Sequence, residues 1–380
     1  MIRVLVVDDS HSARLLLVTL LQGDPEVEVV DDVGDGESAI ASARRLRPDV
    51  ITMDIEMPGM DGLEATARIM NEIPTPIVIV SSSVSPRDMA SSFAAMKVGA
   101  LVALPKPGSA ADSRAADDRR TFVSTVKAMS RVKVVRRWSG SSRAITDGGA
   151  PPQQQFGRHI GAPHNQSSAA ATEPARLSRP LGRPGNSHPQ HVSLVALAAS
   201  TGGPTALQRV LSPLPTFFPV PIVVVQHIAR GFNAGFASWL DGECALRVKL
   251  ATAGETLEPG TVYIAPDDSH LAVLANRKVE LLSTDPVNGF RPSASVLFAS
   301  AADAYGTAIV AVIMTGMGSD GVSGLRRVAS KGGYVIAQDE ESSLIYGMPG
   351  EAVSAGVVDI SLPLNTIAPH LLRLATRATD

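Results

Sequence analysis

IRVLVVDDS, residues 2–10, is an apolar run that stops on two aspartates and a serine. A run with no water-facing alternation reads as a strand buried on both faces, the habit of parallel sheets. The pattern recurs at residues 27–30, 49–53, 76–80 and 101–104, with helical patterns between at about 12–22, 36–46, 61–71, 86–97 and 115–130. Five β/α units in that order predict a doubly wound, flavodoxin-like domain with a five-stranded parallel sheet over residues 1–130.

Function in such sheets collects outside the carboxyl ends of the strands, where this sequence places Asp8, Asp9, Asp54, Ser81 and Lys106. Three carboxylates brought together repel, so they stay ionised when a hard cation shares them, and oxygen ligands of this kind suit Mg²⁺. Asp54 then reads as the nucleophile toward a phosphoryl group. The cation and Lys106 would neutralise its oxygens, and Ser81 would bond the product. Asp49 precedes its strand in RPDVITMD and is assigned no chemistry.

The net charge of −3 hides an asymmetry. Residues 131–190 hold nine Lys and Arg against Asp147 and Glu173. That segment is rich in Pro, Gly, Ser, Gln and Ala and cannot bury enough surface to offset its ordering entropy. It reads as a flexible basic linker that lies transiently on its own acidic domains, with contact to nucleic acid or a membrane surface as the alternative. The single cysteine, Cys244, excludes an internal disulfide framework and a thiolate cluster, and a cytoplasmic compartment is expected. Neither a signal peptide nor a run long enough to span a bilayer is legible.

From about His191 the pattern resumes as VSLVALA, PVPIVVV and AIVAVIM, which predicts a second, mostly parallel α/β domain over residues 191–380. Each run delivers a polar residue beside glycine: Ser200 in AASTGGP, His227 in QHIARGF and Asp320 in TGMGSDG. A hydroxyl at a helix N-terminus faces unpaired N–H groups that favour an oxyanion, although a serine there also serves as an N-cap. An imidazole is the usual base for a serine, and a carboxylate orients it. The backbone N–H groups of Thr201 and Met317 are the candidate oxyanion hole. His270, in YIAPDDSH, competes as a base or substrate contact, whereas His11, His159, His164, His188, His191 and His370 read as surface residues. Ser200 lacks the GxSxG elbow, which excludes the common lipase plan and leaves triad chemistry open.

VVDDS, DIEMPGMDG and LPKPG resemble the receiver domain of two-component response regulators. The resemblance implies phosphorylation of Asp54 by a histidine kinase. It also implies metal held by Asp8, Asp9, Asp54 and the Glu56 carbonyl, and a signal relayed by Ser81 and Lys106. Ala103 departs from the family's usual Tyr or Phe and Val102 from a frequent polar residue, so the outward signal is expected to differ. In the second half ASTGGP, QHIARGF, EPGTVYIAPDDSHL, RPSASVLF, MTGMGSDGVSGL and GGYVIAQDEESSLIYGMP resemble the chemotaxis protein-glutamate methylesterases.

That second resemblance implies hydrolysis of glutamate γ-methyl esters on chemoreceptors, with glutamine deamidation in some members. Ser200 would be the nucleophile, His227 the base and Asp320 the orienting acid, with no cofactor in the esterase site. Ser295 stands where the family often has Asp, which is expected to alter substrate-side contacts. The partners implied are a chemotaxis-type kinase and membrane receptors, acted on without membrane insertion. An inactive hydrolase serving as an adaptor and an esterase for a small metabolite remain rival readings. A DNA-acting regulator lacks any helix-turn-helix or aromatic-interleaved basic module, and no nucleic acid is expected.

Overall fold

The computed structural model describes residues 1–81, 86–108, 115–132, 134 and 189–376. The linker read over 131–190 lies, apart from its two ends, outside the described residues, as do His159, His164 and His188.

The first half runs β1 (Ile2–Val7), α1 (His11–Gln22), β2 (Val27–Val33), α2 (Gly36–Leu46), β3 (Val50–Met53), α3 (Gly62–Glu72), β4 (Ile77–Ser81), α4 (Pro86–Val98), β5 (Val102–Pro105) and α5 (Ala115–Met129). The strands form one sheet in the order β2-β1-β3-β4-β5, and every pairing is parallel. Local chemistry starts the helices: the side chains of Ser10, Asp35 and Asp61 accept from the third residue onward and cap α1, α2 and α3. Asp49, given no chemistry, has a structural task, since its Oδ2 accepts the Arg3 N–H at 2.8 Å and pins the start of β1. The strand order reverses between β1 and β3, so Asp8 and Asp54 emerge side by side at the switch point.

The second half runs β6 (Leu194–Ala199), α6 (Gly203–Leu211), β7 (Ile222–Gln226), α7 (Asn233–Glu243), β8 (Arg247–Leu250), β9 (Thr261–Ile264), β10 (His270–Val273), β11 (Val279–Leu282), α8 (Ala294–Tyr305), β12 (Ile309–Ile313), α9 (Val322–Ser330), β13 (Tyr334–Gln338), α10 (Met348–Ser354), β14 (Ile360–Leu362) and α11 (Leu364–Thr376). Seven strands pair in the order β14-β13-β12-β6-β7-β9-β8, all parallel, and β10-β11 is a separate antiparallel hairpin. The three apolar runs of the sequence are thus the adjacent central strands β12, β6 and β7. His370, expected at the surface, is buried in α11. Its Nδ1 accepts from Arg373 at 2.9 Å and its ring stacks near Tyr334, because α11 turns that face onto the sheet.

The two halves share a core. Leu5, Ile51 and Phe93 of the first belong to one cluster with Leu197, Leu207 and Phe236 of the second. The join is made where α4 meets α7. There Phe93, fully buried, stacks on Trp239 at 5.1 Å and tilts against Phe236 at 5.6 Å, with a Lys97–Glu243 ion pair at the rim. Burying an aromatic side chain is worth about 2–3 kcal/mol, so the aromatic pairing outweighs the half-exposed ion pair at ~0–1 kcal/mol.

Candidate active site

Ser200 follows β6 and His227 follows β7, one step past the last register pair, Ala199 with Gln226. The His227 N–H donates to the Ala199 carbonyl at 2.9 Å, and the Ser200 N–H donates to the Thr315 carbonyl of the turn after β12 at 2.9 Å. Three neighbouring parallel strands therefore bring STGGP, QH and TGMGSDG together. Packing there is close: a Cβ on Gly316 would stand 2.6 Å from the Ser200 Cβ, so that position admits only glycine without displacing Ser200.

Ser200 is not an N-cap. Helix α6 begins at Gly203 behind Gly202, whose φ of 78° is left-handed, and no side chain caps it. The serine sits ahead of the helix, its hydroxyl released from the structural task that would have occupied it.

The His227 side chain is 7% exposed, and its Nε2 lies 2.9 Å from Asp320 Oδ2, off the alignment of a good hydrogen bond. Catalytic contacts in unliganded sites are commonly loose in this way. Nδ1 is buried and has no hydrogen-bond partner among the described residues, so no structural contact occupies it. Phe290 stacks on the imidazole at 4.2 Å and 12°, fixing the ring plane. It is presented by a tight hairpin in which Val287 and Phe290 exchange both backbone hydrogen bonds across Asn288-Gly289, both at positive φ.

Asp320 does not cap α9. Its carboxylate turns to the start of α8, where Oδ1 accepts from Ser293 Oγ at 2.8 Å, the Gly321 N–H at 2.9 Å and the Ser295 N–H at 3.2 Å, and Oδ2 accepts from the Ala294 N–H at 2.7 Å. Burial works to raise this carboxyl, but the contact and charge of His227 with hydrogen bonds from Ser295 and Ser293 overturn it and hold the group at about 2. The group is anionic at every pH at which an imidazole can act as base.

His270 is not a rival base. It is fully buried, its Nδ1 accepts the Ser293 N–H at 3.1 Å and its Nε2 meets the Asp285 carbonyl at 3.1 Å, so both nitrogens are occupied, the first in supporting the residue that holds Asp320. Ser295, expected to touch substrate, faces inward instead: its Oγ accepts the Gly321 N–H at 2.8 Å because it lies in the first turn of α8 against the Asp320 loop. Among the described residues the N–H groups of Thr201 and Met317 donate to nothing, as an oxyanion hole requires. Sequence reasoning missed Gln226, Phe290, Ser293 and Thr315. The Asn-Gly turn before Phe290 was readable, whereas the partners of the others are set by tertiary contact.

At the switch point of the first sheet, carboxylate oxygens of Asp8, Asp9 and Asp54 lie within 4.8 Å of one another. Asp8 and Asp54 are buried, Asp9 is exposed, and Lys106 Nζ bridges Asp8 Oδ2 and Asp54 Oδ2 at 2.7 Å each. Burial raises the Asp54 carboxyl, and neighbouring Asp8 adds to it, against the opposing pull of Lys106 and the Ile55 N–H. Burial pulls the Lys106 ammonium down, but Asp54 and Asp8 outweigh it and raise it. The hard oxygens, with one open side, fit a small divalent cation. Ser81 ends β4, buried, and its carbonyl accepts the Lys106 N–H at 2.8 Å. Ala103 is buried in the core cluster that reaches Phe93 and Phe236.

Residues 195–371 match the CheB methylesterase family and residues 4–116 the response regulator receiver domain family. "Protein-glutamate methylesterase/protein-glutamine glutaminase 4" of Myxococcus xanthus is 49% identical over 97% of this chain and 96% of its own. "Protein-glutamate methylesterase/protein-glutamine glutaminase 3" of Anaeromyxobacter dehalogenans is 46% identical over 98% of each. The crystal structure of the Thermotoga maritima CheB methylesterase catalytic domain is 42% identical, covers 48% of this chain and 98% of its own, and gives a TM-score of 0.47. No helix among the described residues is long and apolar enough to cross a membrane.

Proposed function

The chain belongs to the protein-glutamate methylesterase family, and on that premise we propose that it hydrolyses glutamate γ-methyl esters on chemoreceptors under control of phosphorylation at Asp54. What supports the reading is the junction of β12, β6 and β7, which puts a serine free of capping and a histidine at the ends of adjacent strands, with the Asp320 carboxylate 2.9 Å from that imidazole.

Ser200 Oγ attacks the ester carbonyl while His227 Nδ1 takes its proton, since Nε2 faces Asp320. Asp320 stabilises the resulting imidazolium. The Thr201 and Met317 N–H groups receive the oxyanion, and each such donor is typically worth about 3 kcal/mol. Collapse of the adduct expels methanol, which takes the proton back from His227. Water, deprotonated by the same nitrogen, then releases the glutamate and restores Ser200. Methoxide is a poor leaving group, so this proton return matters by ~10²–10⁴-fold. A glutamine side chain fits the same cycle with ammonia departing in place of methanol.

In the receiver, Asp8, Asp9, Asp54 and the Glu56 carbonyl would hold Mg²⁺, which supplies positive charge to a phosphoryl group on Asp54. Lys106 offers a second charge and Ser81 a hydroxyl. A cytoplasmic histidine kinase of a chemotaxis-type pathway is the phosphoryl source, and residues 1–130, 131–190 and 191–380 serve as switch, tether and enzyme. Packing of α4 on α7 supports a receiver that restrains the esterase until phosphorylated.

The test is methanol release from methylated chemoreceptor in membranes, with and without a small phosphodonor and Mg²⁺. Wild-type release should rise with phosphodonor and fall on the order of 10⁴-fold in Ser200→Ala. In Asp54→Asn it should stay at its basal level in both conditions. No wild-type release in either state overturns the reading, and release from a free methyl ester but none from receptor replaces it with a small-molecule esterase.

A further inference from the structure

We propose that Gln226 is a positioning residue that orients the oxyanion hole, an inference that rests on the esterase reading above. Gln226 is the last residue of β7 and is 1% exposed. Its Nε2 donates to the Ser200 carbonyl and to the His227 carbonyl, at 2.8 Å each. Two carbonyls accept only from the nitrogen end of the amide, so the orientation of the side chain is fixed by its partners.

The consequence follows from peptide planarity. The C=O and N–H of one trans peptide point in opposite directions. The Ser200 carbonyl belongs to the same peptide as the Thr201 N–H, and it is held from behind by Gln226 Nε2 and by the Gly203 N–H at 2.8 Å. Gripping the carbonyl aims the Thr201 N–H away from the protein and toward the reacting centre. The other donor is set the same way: the Gly316 carbonyl, paired in one peptide with the Met317 N–H, accepts from Gly347 N–H at 3.1 Å and Met348 N–H at 2.9 Å. Both oxyanion peptides are thus fastened by their carbonyls, one of them by a side chain.

That side chain needs space, and Gly203 supplies it. A Cβ at residue 203 would stand 1.9 Å from Gln226 Oε1. The second glycine of STGGP and the glutamine of QHIARGF are therefore two halves of one device. An oxyanion donor acts on the transition state and not on the bound ester, so its misorientation lowers kcat and leaves KM in place.

Initial rates over a range of methylated receptor, as a function of pH, test this with the full chain. Wild type and Ser200→Ala run alongside, so that a failed esterase reading appears as an inactive wild type and is not mistaken for a failure at Gln226. Gln226→Met, which keeps length and loses the donor, should lower kcat by about tenfold or more, within the ~10²–10³ cost of a lost donor, with KM within about twofold and the pH midpoint unmoved. Gly203→Ala should give the same signature with Gln226 still present, and it carries the test if Gln226→Met does not fold. A kcat within about twofold of wild type, a loss confined to KM, or a displaced pH midpoint, which would place the effect on His227, overturns the proposal.

Discussion

Asp54 and Asp320 are built from the same parts and are shifted in opposite directions. Each is buried, each stands beyond the carboxyl end of a parallel strand, and each faces a basic partner, Lys106 or His227. Yet Asp54 is pushed up by burial, while Asp320 is held at about 2 against the same force. The difference lies in partners. Asp320 has His227 to itself and adds three backbone N–H groups and a hydroxyl from the start of α8 and its own turn, whereas Asp54 shares its lysine with Asp8, whose charge opposes its own, and receives the Ile55 N–H. A carboxylate completed by its protein is an anchor for another group. One left short of positive charge is a site waiting for a cation or a phosphoryl group.

The hardest test of that contrast is to neutralise both aspartates. Asp320→Asn should lower methanol release by about 10³–10⁴-fold, the scale on which a triad loses its orienting charge, while Asp54→Asn leaves the unstimulated rate intact. Loss of less than tenfold in Asp320→Asn would mean that the Ser293, Ala294 and Gly321 contacts hold a turn and not a base.

A smaller effect is expected where the two halves meet. Phe93→Asp places a charge between Trp239 and Phe236 and should raise the unphosphorylated rate several-fold, bringing it toward the phosphodonor-stimulated level. Lys97→Ala, at the half-exposed rim, should change it by less than about twofold. A rate that stays at the wild-type basal level in Phe93→Asp would separate the α4–α7 packing from control of the esterase.

The same contrast explains what the sequence could and could not tell. Apolar runs ending in polar residues gave away both sheets, because a strand buried on two faces leaves no alternation, and the residues just past such runs must lie at one edge. Asp8, Asp54, Lys106, Ser200, His227 and Asp320 were legible as candidates for that reason. What stayed hidden were residues whose role is set by a partner remote in sequence. Gln226 looks like the tail of an apolar run until its amide is seen across two strands, and His270 looks like a spare base until both nitrogens are found occupied. Ser295 misled in the same way, since its task lies in the fold of the Asp320 turn. Ser200, by contrast, was read with an N-cap alternative that only the exact start of α6 removes.

The smallest effect expected is on stability, and its sign is the sharpest form of the comparison. Asp320 has a folded pKa of about 2 against an unfolded value of about 3.9, so its ionised form contributes about 2–3 kcal/mol above pH 4, lost as pH falls toward 2. Asp54 is displaced the other way. A raised carboxyl gives stability that is present below its unfolded value and lost as pH rises through the folded one, so at neutral pH its charge weighs against the fold. Urea melts of the full chain at pH 7 in a chelator, followed by probes in each half, should therefore find Asp320→Asn less stable than wild type by about 2–3 kcal/mol and Asp54→Asn more stable. On acidification toward pH 2 the Asp320→Asn deficit should shrink, and below pH 4 the Asp54→Asn gain should be gone. Adding Mg²⁺ at pH 7 should stabilise wild type and leave Asp54→Asn nearly unmoved, because a bound cation supplies the charge that the protein withholds from Asp54. Substitutions that shift stability with the same sign at both sites would mean that burial, and not the partners each carboxylate faces, sets the direction of these two shifts.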